Sequence, residues 1–238
     1  YDDVGSIMKL PGGYEKELRK LGIKCRVFSP AAPVLSPRLN NRDHRKIAVI
    51  DGNIAYTGGI NLSDEYANIV TRFGHWKDNA VRLYGNAAFS FTVMFISMWD
   101  FWNSEDMKLE KFLPDIKNEP SADGVVQPYS DSPLDNEPVG ENVYMNIISR
   151  AKKYVYIMTP YLIIGNEVLS CIKNAAKSGV DVRIMTPAIP DKKFVHATTR
   201  SYYETLIESG VRIYEYTPGF LHSKTFVSDD SIATVGSF

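Results

Sequence analysis

The sequence predicts an α/β chain with two pseudo-symmetric domains, each a mixed β-sheet flanked by helices. Three observations support this prediction: an internal repeat, a helix followed by a strand in each copy, and 44% apolar residues in a chain of 238. That content is typical of a globular protein with one large core or two modest ones, and it argues against a disordered chain.

The repeat joins a helical segment that ends in glycine to a segment of alternating apolar residues. It covers 14–30 and 202–218, with Leu18, Gly22 and Pro30 matching Leu206, Gly210 and Pro218. A glycine after a helix and a period of two in the next segment are typical of half a βαβ unit. A repeated unit of this kind predicts two similar domains.

The surrounding segments set the predicted domain boundaries. A strand at 154–159, a helix at 167–178 and a strand at 180–186 precede the second copy. Tyr1 to Asp3 occupies the place that Thr186 and Pro187 occupy in the second half, and the chain stops at a strand-to-turn junction, so we expect it to be truncated at both ends. Residues 103–140 are rich in Pro, Asp, Glu, Asn and Ser, which is typical of a linker. The prediction is a first domain at 1–103, a linker or excursion loop at 104–140 and a second domain at 141–238.

Each copy also carries a His-x-Lys-x4-Asp motif. The motif residues are His44, Lys46 and Asp51 in the first copy and His222, Lys224 and Asp229 in the second. On a strand, a His and a Lys two positions apart face the same side. Imidazole can attack phosphorus when neutral or donate a proton when charged, and an ammonium group stabilises phosphoryl oxygens. Two motifs facing one another predict phosphate chemistry with no metal ion and no cofactor.

The two motifs, with Gly-Gly-Ile-Asn at 58–61 and Gly-Ser at 236–237, resemble the phospholipase D superfamily. The segments 56–66, 76–78, 159–161 and 199–222 are similar to bacterial cardiolipin synthases. The resemblance implies transfer of a phosphatidyl group between two phosphatidylglycerol molecules through a phosphohistidine, which gives cardiolipin and glycerol. It also implies a membrane surface as partner and the bacterial cell membrane as location, although the family's membrane helices are not in this sequence.

The resemblance gives roles to the motif residues. His44 is expected to attack phosphorus, and His222 to protonate the departing glycerol and then activate the incoming alcohol. Lys46 and Lys224 are expected to bind phosphoryl oxygens. For the two motif aspartates, a turn or salt-bridge role stays open beside the catalytic one.

Other residues are expected around the substrate. Asn61 follows a glycine pair that would aim its amide at the same oxygens. Asp78 precedes a predicted strand at 80–83, where related folds place a carboxylate that holds an opposing imidazole. The predicted substrate-binding residues are Asn61, Asp78, Tyr161, Arg200 and Ser237. Packing roles stay open for Tyr161 and Arg200, and His75 and His196 are expected to be ordinary structural histidines.

Composition limits the alternatives. With 27 basic and 28 acidic residues, the net charge of −1 gives no overall attraction to nucleic acid, so we expect no nucleic-acid partner, and a nuclease of the same superfamily is disfavoured. A hydrolytic phospholipase D and a non-catalytic lipid-binding module remain alternatives. Cys25 and Cys171 lack metal-ligand spacing and are expected to be reduced buried thiols. The apolar segment 86–102 predicts a core helix, with a membrane-contacting helix as the alternative.

Overall fold

A computed structural model gives the fold of residues 1–6, 9–30, 42–101, 107–115, 124–132 and 136–237. Residues 31–41, between the first copy of the repeat and His44, and parts of the predicted linker lie outside these residues. Within them the helices and strands follow one another as α1 Asp3–Ser6, α2 Tyr14–Lys20, β1 Ile47–Ile50, β2 Ile54–Gly58, β3 Ala80–Tyr84, α3 Asn86–Phe101, a 3-10 helix at Leu109–Phe112, α4 Val139–Arg150, β4 Tyr154–Met158, α5 Asn166–Lys177, β5 Asp181–Pro187, α6 Lys193–Ser201, α7 Tyr203–Ile207, β6 Arg212–Tyr216, β7 Thr225–Ser228 and β8 Ile232–Val235. Two sheets flanked by helices confirm the predicted α/β class.

The larger sheet is mixed and has the strand order β6-β5-β4-β7-β8. Strands β4, β5 and β6 are parallel, and β7 is antiparallel to both β4 and β8. Parallel strands need a crossover connection, and helix α5 supplies it between β4 and β5. The predicted strand, helix and strand at 154–186 are therefore confirmed within one or two residues.

Alternating apolar residues explain why these segments form a sheet. Val155 and Ile157 on β4 and Val182 and Ile184 on β5 are all buried, while their neighbours in sequence point to the other face. Helix α5 is amphipathic and places Val168, Ile172 and Ala175 against the same core. Residues with a period of two on strands and of 3.6 on the covering helix thus share one hydrophobic core.

The first copy of the repeat keeps its helix but not its predicted strand. Residues 23–27 are extended without strand pairing, and Phe28 alone forms a parallel bridge with Asp2. Phe28 N–H donates to Tyr1 O at 2.7 Å, and Asp3 N–H donates to Phe28 O at 3.2 Å. The Tyr1 N-terminus also donates to Arg26 O at 2.9 Å. The predicted strand is wrong because Tyr1 to Asp3 bond only to the end of this segment, at Arg26 and Phe28.

The second copy shows the same contact in a complete strand pair. Pro187 on β5 pairs with Tyr216 on β6, and Ala188 N–H donates to Tyr216 O at 3.1 Å. Phe28 and Tyr216 are equivalent in the repeat, so Tyr1 to Asp3 occupies the place of 186–188. The prediction that these two segments correspond is confirmed.

The smaller sheet has the strand order β1-β2-β3. By backbone contacts the chain forms two compact units: the first contains Tyr1–Arg45, Val49–Ile54 and Tyr84–Pro128, and the second contains Lys46–Ala48, Ala55–Leu83 and Tyr129–Phe238. The second unit therefore carries the second copy together with the Gly-Gly-Ile-Asn segment of the first. The predicted boundaries at 103 and 140 stay a prediction.

Helix α3 in the first unit is apolar on more than one side. Phe91 and Ile96 are buried, whereas Phe95 and Phe101 are exposed. The prediction of a core helix therefore holds for one of its faces. Across the parts of the chain that the structure describes, helices that combine the length and apolarity needed to cross a bilayer are absent.

Cys25 and Cys171 are both free thiols, Cys25 buried and Cys171 partly so.

Candidate active site

His222 lies in an extended segment immediately before β7, and its backbone is fixed by a neighbouring segment. Its N–H donates to Lys77 O at 2.7 Å, and Leu221 forms a parallel bridge with Lys77. The residue is only 5% exposed. Both His-x-Lys pairs precede their strands, β1 and β7, rather than lying within them as predicted. In the second pair, the backbone N–H of His222 bonds to Lys77 and not to a neighbouring strand of the sheet.

A buried carboxylate holds the His222 ring. Asp78 Oδ2 lies 2.7 Å from His222 Nδ1, and the two side chains are 3% and 7% exposed. A carboxylate at Nδ1 favours the tautomer that carries its proton there, so Nε2 keeps the lone pair. The predicted contact between Asp78 and an imidazole is therefore present, while its assignment to substrate binding stays a prediction.

Lys224 lies against the same imidazole. Its Nζ donates to His222 O at 2.7 Å and lies 3.0 Å from Nδ1 and 3.1 Å from Nε2. Burial lowers the pKa of Lys224 to about 8, against the attraction of Asp78, and the charge of Lys46 lowers it further. Burial also lowers the pKa of His222, where Asp78 acts in the opposite direction and Lys224 in the same one. An anion entering this site would find the Lys224 ammonium group and an oriented imidazole.

Two glycines allow the Asp78 segment to approach. Gly58 and Gly59 end β2 and follow it, and Gly59 N–H donates to Asn79 O at 3.1 Å. A methyl group on Gly59 would overlap the Asp78 carboxylate, and one on Gly58 would overlap Asn79 O and Ala80. The glycine pair therefore serves close packing against the carboxylate that holds His222.

Aromatic rings enclose His222 on several sides. The ring centroids of Tyr66, Trp76 and Phe220 lie 5.2, 5.5 and 6.0 Å from the imidazole centroid. Tyr66 Oη accepts a hydrogen bond from Asn61 Nδ2 at 2.6 Å, and burial raises the pKa of Tyr66 to about 12. Sequence reasoning did not single out these three rings, although aromatic residues between and beside the motifs were a signal that could have found them.

Tyr161 lies close to these aromatic rings. The described hydrogen bonds of Arg200 are made to a different residue. The Tyr161 hydroxyl donates to Asp191 Oδ2 at 2.6 Å, and its ring centroid is 6.4 Å from that of Phe220. Arg200 donates from Nε and Nη2 to the Glu215 carboxylate at 2.9 and 2.8 Å. The site assignment of Arg200 therefore stays a prediction, and its observed partner is a surface carboxylate.

The motif aspartates occupy turns after β1 and β7. Asp51 and Asp229 both have positive φ, 49° and 53°. The Asp229 carboxylate accepts the backbone N–H groups of Lys152, Lys153 and Tyr154 at 2.7, 2.9 and 2.9 Å. These bonds support the turn role for Asp229, and its catalytic assignment, like that of Asp51, stays a prediction.

The remaining expectations concern histidines and metals. His75 Nδ1 lies 2.7 Å from Tyr216 Oη, and His196 Nε2 lies 3.2 Å from Pro187 O, which are structural contacts as expected. Clusters of three or more His, Cys, Asp or Glu that could hold a metal ion do not occur in the described ranges. His44 belongs to the first unit and Ser237 to the second, and the predicted roles of both stay predictions.

Comparison with known proteins gives the class of this site. Residues 144–238 match the family model described as cardiolipin synthase, PLD-like domain. The solved phosphatidylserine synthase of Haemophilus influenzae is similar with a TM-score of 0.50 and 18% identity, over 79% of this chain and 52% of that one. This structural similarity supports a phospholipase D-like fold and no more.

Sequence relatives cover the whole chain. An uncharacterized protein of Streptococcus mutans is 51% identical over 237 residues, which is 100% of this chain and 51% of that protein. A cardiolipin synthase of Alkalihalophilus pseudofirmus is 39% identical over 238 residues, 100% of this chain and 47% of that protein. Residues 144–238 thus match a phospholipase D-like cardiolipin synthase domain, and the whole chain is similar to proteins named cardiolipin synthase. It spans about half the length of the curated relatives it matches.

Proposed function

We propose that the protein transfers a phosphatidyl group from one phosphatidylglycerol to a hydroxyl of another and so forms cardiolipin and glycerol. The observation that carries the proposal is the buried imidazole of His222, held by Asp78 at 2.7 Å with Lys224 against its ring. Relatives named cardiolipin synthase, 37% to 39% identical over the chain, support the choice of reaction. We place the reaction at the bacterial membrane that contains the lipid.

Charge complementarity supports a phosphodiester as the ligand. Burial makes the charged form of Lys224 less favourable and lowers its pKa to about 8. A phosphodiester carries one negative charge, and its approach would restore the charged ammonium form by direct attraction. Burial lowers the pKa of His222 and Asp78 acts in the opposite direction; the same anion would also favour the imidazolium form.

The reaction is proposed to proceed in two displacements. In the first, a nitrogen of His44 forms a bond to phosphorus, the bond from phosphorus to the glycerol oxygen breaks, and the proton of charged His222 moves to that oxygen. In the second, neutral His222 takes the hydroxyl proton of the second phosphatidylglycerol, its oxygen bonds to phosphorus, and the phosphorus–nitrogen bond breaks. Lys46 and Lys224 stabilise the phosphoryl oxygens through both steps.

The surroundings of His222 support an alcohol rather than water as the acceptor. The imidazole is 5% exposed and lies among the rings of Tyr66, Trp76 and Phe220. Aromatic rings of this kind offer apolar contact to a lipid alcohol. Hydrolysis by the same residues would instead release phosphatidic acid.

Product analysis tests the proposal. The purified protein is incubated with vesicles of phosphatidylglycerol, and lipids and glycerol are measured. We expect cardiolipin and glycerol in equal amounts, and a loss of about 10³-fold or more in His44→Ala and in His222→Ala. His196→Ala is the matched control, because His196 bonds to Pro187 O. Phosphatidic acid as the main product, or full activity of His222→Ala, would contradict the proposal.

A further inference from the structure

Trp76, Lys77 and Asp78 form one side of the surroundings of His222. The Trp76 ring centroid lies 5.5 Å from the imidazole centroid, and Lys77 O accepts the His222 N–H at 2.7 Å. Asp78 Oδ2 lies 2.7 Å from Nδ1 of the ring, while its Oδ1 accepts the N–H of Asn79 at 2.8 Å. The contact between the carboxylate and the imidazole therefore depends on what holds the backbone of residues 76–78.

The side chain of Asn68 holds the first of these residues by both of its backbone groups. Asn68 Oδ1 accepts the N–H of Trp76 at 2.7 Å, and Asn68 Nδ2 donates to Trp76 O at 3.1 Å. A side-chain amide has the donor and the acceptor of a peptide group, so these two bonds resemble the exchange between paired residues of neighbouring strands. Lys77 bonds to a different segment, since its N–H donates to Phe220 O at 2.9 Å. The backbone at 76–77 is thus bonded to two separate parts of the chain.

The local backbone of Asn68 suits this role. Its φ of 57° lies in the left-handed region, which asparagine adopts more readily than most residues other than glycine. Its N–H donates to Glu65 O at 3.2 Å, which makes it part of a turn. The same turn contains Tyr66, whose ring centroid lies 4.4 Å from that of Trp76. The turn therefore contacts Trp76 twice, with an amide at the backbone and with a ring at the side chain.

We propose that Asn68 is a positioning residue, which fixes the 76–78 segment so that Asp78 stays in contact with the His222 imidazole. Asn68 acts through the backbone of Trp76 and not by contact with the substrate. Its position lies outside both His-x-Lys-x4-Asp motifs. The inference rests on the proposed function, because its consequence for turnover requires His222 to transfer a proton. Small displacements of a group that orients a reacting side chain lower the rate of the chemical step.

Asn68→Gly tests the inference, because glycine adopts the left-handed conformation readily and removes both bonds to Trp76. The chain contains four histidines, and the His222 ring signals in NMR are assigned by their loss in His222→Ala. Since Asp78 opposes the effect of burial on the pKa of His222, we expect the imidazole to titrate at lower pH in Asn68→Gly. With phosphatidylglycerol vesicles we expect kcat to fall about tenfold and KM to change by less than about twofold.

Asn142→Gly is the matched control. Asn142 is exposed on α4, and its amide donates to the Glu137 carboxylate. The same substitution there removes a side-chain bond and places a flexible residue in a helix, so it lowers stability without touching the 76–78 segment. We expect the His222 titration and kcat of the wild type in Asn142→Gly, with urea unfolding measured for both variants. The effects of Asn68→Gly in Asn142→Gly as well would overturn the inference.

Two further variants show whether Asn68 acts through Asp78. In the Asp78→Asn background, Asn68→Gly should cause little further loss of kcat, because the contact that it maintains is already gone. Asn68→Asp is the milder change, since it keeps the acceptor for Trp76 N–H and loses the donor to Trp76 O. We expect its kcat to lie between those of the wild type and Asn68→Gly.

The outcomes separate this inference from the proposed function. Wild-type kcat and an unchanged His222 titration in Asn68→Gly would overturn the inference, and so would wild-type kcat in a folded Asn68→Asp or losses that add fully to those of Asp78→Asn. Each of these results would leave cardiolipin formation, and so the proposed function, intact. If the wild-type protein formed no cardiolipin, the proposed function would fail, and the His222 titration would still test whether Asn68 holds the segment.

Discussion

Asp78 Oδ2 lies 2.7 Å from Nδ1 of His222, a residue 144 positions further along the chain. The carboxylate follows the first motif and the imidazole belongs to the second, yet both lie in the second compact unit. Within that unit, the contact therefore joins the segment that follows the first motif to the histidine of the second motif. One substitution, at Asp78, removes this contact with the imidazole.

Replacing that carboxylate should lower activity more than stability. In Asp78→Asn the His222 ring loses the acceptor that fixes its tautomer, so we expect kcat to fall by about 10²- to 10⁴-fold. Since Asp78 raises the pKa of His222 against burial, the imidazole should titrate at lower pH in the variant, as measured by NMR. Asp64→Asn, at an exposed position, is the control. A kcat equal to that of the wild type would show that the contact does not serve catalysis.

Lys224 should limit activity at alkaline pH. Its pKa is lowered to about 8, so the charged form that binds phosphoryl oxygens is complete below that value and is lost as pH rises through it. We expect kcat/KM to decline over this range. In Lys224→Arg the guanidinium stays charged, so the decline should move to higher pH even if the maximum is smaller. An unchanged pH profile in that variant would exclude Lys224 as the titrating group.

A methyl group at Gly59 should act through Asp78. Because the added carbon would overlap the carboxylate, we expect Gly59→Ala to reduce kcat by about 10²-fold and to lower the pKa of His222, as Asp78→Asn does. Gly12→Ala is the control, since a methyl group there meets no atom within 4 Å. Wild-type kcat in Gly59→Ala would mean that the carboxylate can move without loss.

The Tyr66 hydroxyl should position the Asn61 amide. Tyr66→Phe keeps the ring against His222 and removes only the acceptor of the Asn61 Nδ2 bond. We expect kcat/KM to fall about tenfold in Tyr66→Phe and in Asn61→Ala, with little further loss in the double variant, because both changes remove one interaction. Tyr56→Phe, at an exposed position, should have no effect. Fully additive losses would show that the two residues act separately.

Asp229 should matter for folding and not for turnover. Its pKa is lowered by the backbone N–H groups of Tyr154, Lys152 and Lys153. The carboxylate therefore stabilises the fold above its ordinary pKa, and this contribution is lost as pH falls through the lowered value. We expect Asp229→Asn to unfold at lower urea concentration near neutral pH, with the difference shrinking in acid and kcat unchanged. A large loss of kcat with unchanged stability would instead support the predicted catalytic role of Asp229.

Much of the fold could be predicted from local pattern. The alternation in 154–158 and 181–187 and the amphipathic helix between them encode a βαβ unit, and the structure contains it. The same pattern failed at 23–28, where only Phe28 pairs. Strand formation depends on an available partner as well as on the residues of the segment, and the sequence alone does not contain that information.

The site was predictable to a smaller extent. The spacing of His222 and Lys224, together with the position of Asp78, indicated residues that the structure brings within 3.1 Å of one imidazole. The rings of Trp76 and Phe220 were not predicted, because their approach to His222 depends on tertiary packing between distant segments. Motif spacing predicts which side chains share one face of a strand. It does not predict which residues from distant segments pack against that face.

The phosphohistidine tests the proposed mechanism most directly. The purified protein is mixed with phosphatidylglycerol labelled at phosphorus, quenched in base within one turnover, and digested to find the labelled peptide. We predict an acid-labile label on His44, absent in His44→Ala and retained in His196→Ala. Cardiolipin formation without any labelled histidine, or a label that persists in His44→Ala, would contradict the mechanism.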